Sequence, residues 1–137
     1  MKISTIVLVV FTMSSMGFGQ AKQKKIKMHK NPEAIKQEIA KLIPIGSSIA
    51  EAERIMEANK FGCELTKGGS FTTGTEDKPD REYQNIDFLS CGRIRYALAG
   101  FLDPRRLTCM RMWAIAIVQK DGVVSDILVY VGWYCEL

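Results

Sequence analysis

Four cysteines, Cys63, Cys91, Cys109 and Cys135, are the side chains best equipped for chemistry in this chain, and they stand 28, 18 and 26 positions apart. Such a set can ligate a metal or close disulfides. Zinc sites draw on cysteine pairs two to four residues apart, and no such pair occurs, so no metal site is expected. A catalytic thiol needs a base beside it. The single histidine, His29, sits in the lysine-rich run "AKQKKIKMHK", away from any cysteine in sequence. G-x-S-x-G, H-E-x-x-H and a glycine-rich phosphate loop are all missing, so neither a cofactor nor an enzymatic activity is expected.

The second concentration of chemistry is cationic. Arg93, Arg95, Arg105, Arg106 and Arg111 fall within nineteen residues, with Tyr96 and Phe101 between them. Planar guanidinium groups beside aromatic rings suit an anion or a glycan. The same arginines could instead form ion pairs with Asp87, Asp103 and Glu136 around an exposed connector.

These residues depend on the elements that carry them. "TCMRMWAIAIVQ", "KDG" and "VVSDILVYVGWYC" read as a β-hairpin turned at Asp121-Gly122. Alternation places Cys109, Arg111, Trp113, Ile115 and Ile117 on one face, opposite Ile127, Val129, Val131, Trp133 and Cys135. That face is the expected core side. The other carries Met110, Met112, Ala114, Ala116, Val118, Val124, Asp126, Leu128, Tyr130 and Tyr134 and is only partly polar. Pairing about this turn joins positions whose numbers add to about 243. Cys109 and Cys135 add to 244 and so stand nearly opposite, which leaves Cys63 for Cys91. In an oxidising compartment both pairs are expected as disulfides, whereas in a reducing one all four would be buried thiols.

"NIDFLSC" reads as a further strand, from Ile86 to about Cys91, and "FGCEL" as a short fourth. The Gly-, Thr- and charge-rich "TKGGSFTTGTEDKPDREYQ" between them reads as a long mobile loop. Upstream, "NPEAIKQEIAKLIP" is a helix with Asn31 as cap, Pro32 in the first turn and a stripe of Ile35, Ile39, Leu42 and Ile43, stopped by Pro44. "GSSIAEAERIMEAN" is a second, opened by a Ser48–Glu51 capping box and striped by Ile49, Ala52, Ile55 and Met56, with Asn59 as a left-handed terminator. The expected fold is α+β: an N-terminal helix-helix pair packed on an antiparallel sheet of three or four strands.

Charge and hydropathy divide the chain further. Six of the 19 Lys+Arg lie in residues 1–30, which hold no acid; the remaining 13 face 15 Asp+Glu, a net −2 from Asn31 onward. A mildly acidic body behind a basic arm gives no reason to expect nucleic-acid binding. Met1-Lys2, the apolar "ISTIVLVVF" and small residues about Gly17–Ala21 have the form of a secretory signal. The expected organisation is a signal at 1–20, a flexible basic arm at 21–31 and one domain at 32–137. An uncleaved N-terminal membrane anchor is the alternative, and the only membrane contact expected.

The connector Ile45-Gly46-Ser47, the run Ala50 to Met56 and the following "FGC" and "IDFLSC" resemble BamE (SmpA/OmlA) and β-lactamase-inhibitor-like small secreted domains. They also resemble secreted bacterial proteins of uncharacterised role that carry a similar cysteine pair. The resemblance implies a helix pair crossed by a sheet and assigns no functional residue. The resulting expectation is a secreted or periplasmic, non-enzymatic module of the cell envelope. It would bind a protein partner through Met110, Met112, Tyr130 and Tyr134, or else a small anionic ligand or glycan through Arg93, Arg95, Arg105 and Arg106.

Overall fold

A computed structural model describes residues 25–95 and 109–135. Two helices, α1 (Pro32–Leu42) and α2 (Ile49–Ala58), precede four strands, β1 (Gly62–Thr75), β2 (Pro79–Arg95), β3 (Cys109–Lys120) and β4 (Val123–Cys135). Strands consecutive in sequence pair antiparallel in the order β1-β2-β3-β4, and a short parallel β1–β4 pairing joins the ends, an α+β fold.

Both helices begin as their capping residues dictate. The Asn31 carboxamide oxygen accepts the Glu33 N–H at 2.9 Å, and the Ser48 hydroxyl accepts the Glu51 N–H at 3.2 Å. The reciprocal half of the capping box is absent: Glu51 takes both hydrogen bonds of Arg54 instead, at 3.0 and 2.6 Å. The guanidinium holds the Glu51 carboxyl below its ordinary range. Ile35, Ile39 and Ile43 from the first stripe and Ala52 and Met56 from the second are fully buried. They share one core with Leu89, Cys91, Trp113, Ile115, Ile117, Ile127, Val129 and Val131. α1 meets chiefly β4, and each helix touches the sheet more than it touches the other. Asn59 ends α2 without turning left-handed (φ −93°); the left-handed residue is Lys60, at φ 67°.

The β3–β4 hairpin turns at Asp121-Gly122, both at positive φ (55° and 77°), which is the type I′ geometry that matches the twist of the flanking strands. A bulge between Val118 and Gln119, opposite Ser125, then shifts the register by one. Two consequences follow. Cys109 comes directly opposite Cys135, and Val124, expected on the outer face, lies instead in the helix-side core at 1% exposure.

The expected mobile loop is instead a β-ribbon. Apart from the turn at Glu76–Lys78, the whole stretch from Gly62 to Arg95 is strand. The glycines mark bulges within the ladder rather than a loop. Register shifts flank Gly68 (φ 59°) on β1 and Asn85 (φ 54°) on β2, and the Gly68 N–H donates to the Asp87 carboxylate at 2.8 Å. Opposed bulges bend a ribbon strongly. Here the far half bends over the outer face, and Phe71, Tyr83 and Ile86 pack with Phe88, Ala116, Val118 and Leu128 into a second core. Gly74-Thr75 at the ribbon tip then pair with Tyr130-Val131 of β4, closing the four strands into a barrel.

The basic arm expected at 21–31 packs through Ile26 and Met28 while Lys25, Lys27 and Lys30 stay exposed; residues 21–24 lie outside the described residues. Ile26 is 4% exposed in the main core, and its N–H donates to the Asn59 carboxamide at 2.8 Å. The Trp113 indole N–H donates to the His29 carbonyl at 2.9 Å. Apolar Ile26 and Met28 override the charge of the surrounding lysines, so this segment is a strap across the open side of the core. Truncating a buried Ile to Ala costs ~2–5 kcal/mol. Ile26→Ala should therefore lower the stability measured by urea unfolding by that order, whereas the flexible-arm alternative predicts a change within ~0.5 kcal/mol.

Candidate functional site

The ribbon and the outer face of the sheet meet closely at one end and part at the other. At the closed end the Phe71 and Phe88 rings are edge-to-face, 5.9 Å between centroids and 71° between planes. The Phe88 ring also covers Gly69, where a Cβ would lie 3.0 Å from its Cε1. Toward the other end the outer face carries Gly92 and Ala114 side by side, with Tyr130 beyond them on β4. A cleft of ≈ 420 Å³ results, lined by Ser70, Phe71, Thr72, Thr75, Glu76, Pro79, Ala114 and Tyr130. Phe71, Pro79 and Ala114 give it apolar wall, Ser70, Thr72, Thr75 and Glu76 of the ribbon give it polar groups, and Tyr130 of β4 presents both a ring and a hydroxyl. The Tyr130 ring lies against Gly132, where any Cβ would stand 2.7 Å from its Cε1. That glycine fixes where the tyrosine points.

Of the residues expected to bind a partner, Tyr130 is half-buried and lines the cleft, while Met110 and Met112 are half-buried on the same face of β3. Tyr134 pairs with Met110 through the backbone, and its side chain lies outside the described residues. The outer face is therefore less open than alternation alone suggests, because the ribbon covers its Phe88–Ala116–Leu128 part. Ile94, 49% exposed and paired with Met112, extends the open part. It escapes the sequence reading because β2 was expected to end near Cys91.

Among the described residues the arginines do not converge on that face. Arg93 lies on the helix side, donating to the Asn59 carbonyl at 3.3 Å, with its guanidinium 5.9 Å from the Phe61 ring centroid. Arg111 stacks 4.4 Å from the Trp133 ring. Arg95 pairs with Arg111 through the backbone; its side chain, and the whole of Arg105 and Arg106, lie outside the described residues. Among the described residues no group of three His, Cys, Asp or Glu is placed to hold a metal ion. Cys63 and Cys91, opposite one another on β1 and β2, form a disulfide facing the helix-side core. The side chains of Cys109 and Cys135 are outside the described residues, although their backbones pair.

No family model matches the chain, and comparison with curated proteins and with solved structures returns no match.

The cleft depends on the ribbon tip, and the tip depends on Gly74. At φ 104° a Cβ on this residue would stand 2.5 Å from the Lys78 carbonyl oxygen. Gly74→Ala should destabilise the tip by ~1–3 kcal/mol. Hydrogen exchange should read this as faster exchange of amides 70–83, with α1 and α2 unchanged; protection equal to wild type would contradict it.

Proposed function

We propose that the protein is a secreted or periplasmic, disulfide-bonded, non-enzymatic module that holds a protein partner at the cleft between the ribbon and the sheet. The observation that carries this reading is the cleft itself. Apolar walls from Phe71, Pro79, Ala114 and Tyr130 with a hydroxylated lip suit the seating of an apolar side chain from another chain. The apolar surface continues outward over half-buried Met112 and exposed Ile94, and methionine adapts readily to partner surfaces. The Cys63–Cys91 disulfide and the signal-like N-terminus support an oxidising compartment. The likeness of the connector and second-helix residues to BamE-like and β-lactamase-inhibitor-like secreted domains supports a role in the cell envelope.

The alternative of an anionic ligand or glycan held by the arginine set draws less support. The two arginines whose side chains are described do not form one set: Arg93 lies beside Asn59 and Phe61, and Arg111 beside Trp133.

A pull-down of the mature domain from its own envelope extract tests the reading. One partner should be retained by wild type and by the helix-face variant Glu57→Lys, and lost by a folded Ala114→Arg/Met112→Asp variant, which fills the cleft and charges its extension. Equal retention by all three proteins would remove the cleft and its extension as the binding surface.

A further inference from the structure

A second, smaller cavity of ≈ 170 Å³ lies at the edge of β4, lined by Lys30, Thr75, Glu76, Asp77, Arg111, Val131, Gly132 and Trp133. Three separate segments bring its charges together. Lys30 comes from the strap, fixed one residue away by the Trp113–His29 hydrogen bond. Glu76 and Asp77 come from the ribbon tip, fixed by the pairing of Thr75 with Val131. Arg111 comes from β3, held against the half-exposed Trp133 ring.

Two cations and two anions thus surround one cavity. Yet among the described residues none of the four forms an ion pair, whereas Lys36–Asp126, Lys41–Glu38 and Arg54–Glu51 do so elsewhere. Lys30 and Arg111 can then meet an anionic group, and Glu76 and Asp77 a cationic one, at the same cavity. A simple anion drawn to Lys30 and Arg111 would meet Glu76 and Asp77, and a simple cation the reverse. A ligand carrying both charges satisfies both pairs. The volume corresponds to five or six waters at ~30 Å³ each, the scale of a small amino-acid-like molecule or a headgroup.

We propose that this cavity binds a small zwitterion, with its carboxylate or phosphate toward Lys30 and Arg111 and its ammonium toward Glu76 and Asp77. The proposal does not rest on the partner assigned to the larger cleft, although the two recesses share Thr75 and Glu76.

Trp133 supplies the readout, since the only other tryptophan, Trp113, is buried. The mature protein is titrated with glycine betaine and with phosphocholine, and separately with choline, acetate and inorganic phosphate, following tryptophan emission and calorimetric heat. At least one zwitterion should bind saturably, at least tenfold more tightly than either of its halves. A Glu76→Gln/Asp77→Asn variant with unchanged circular dichroism and melting temperature should lose at least tenfold of that affinity and should not lose affinity for the anionic half. Phosphatidylcholine vesicles distinguish the sources. Sedimentation with vesicles, competed by phosphocholine, assigns a lipid headgroup; zwitterion binding without sedimentation assigns a free solute. Absence of saturable binding by both zwitterions, halves that bind as well as the whole, or a neutralised variant that binds like wild type would each overturn the proposal.

Discussion

The contact between the far half of the β1–β2 ribbon and the outer face of the sheet is the constraint on which the rest of the molecule depends. A four-stranded sheet covered by helices on one side leaves the other side to water. Here the outer face carries Phe88, Ala116 and Leu128, which water does not favour, and the ribbon supplies Phe71, Tyr83 and Ile86 to cover them. Each such side chain contributes ~1.5–3 kcal/mol on full burial, and several together can hold a bent ribbon in place. Without this contact there is no tip-to-β4 pairing, no cleft and no charged cavity at the β4 edge.

The same arrangement manages the exposed edge of β4. Near its start, the inter-helix connector pairs with it: the Gly46 N–H donates to the Val124 carbonyl and the Val124 N–H to the Ser47 carbonyl. Further on, the ribbon tip pairs at Tyr130-Val131. Covering an edge in this way removes a template for aggregation. The Cys63–Cys91 disulfide stands at the root of the ribbon and makes residues 63–91 a covalent ring. In the chain-entropy view such a closure restricts the unfolded state, on the order of 2–4 kcal/mol. The disulfide holds the base of the ribbon, and the outer-face core holds its tip.

Much of the helix-side half of the fold can be read from the residues directly. Caps, stripes and the Asp121-Gly122 turn are local signals; register arithmetic about that turn sets Cys109 against Cys135 and leaves Cys63 for Cys91, the pair that the structure joins. The ribbon was hidden because its signals are tertiary. Gly68-Gly69 and the charged run about Asp80 look like loop composition, and they become strand only because Phe71, Tyr83 and Ile86 find partners on the sheet. Bulges defeat alternation in the same way: Val124 changes face because one residue is inserted near Ser125. Ile26 and Met28 were masked by the lysines around them, although two apolar residues at that spacing were the available sign of a strap. Of the candidate site, Tyr130 and Met112 were found by alternation. The ribbon side of the cleft and the Trp133–Arg111 wall required the fold.

The lip of the closed ribbon gives a small domain two chemically different recesses that share Thr75 and Glu76 as a common wall. Both recesses exist only while the ribbon is docked. The most direct measurement is a nuclear Overhauser spectrum of the oxidised mature protein with methyl and aromatic labelling. The account predicts cross-peaks from the rings of Phe71 and Tyr83 to the side chains of Leu128 and Ala116. Their absence, together with unprotected amides at residues 70–83, would show the ribbon detached and would contradict the account.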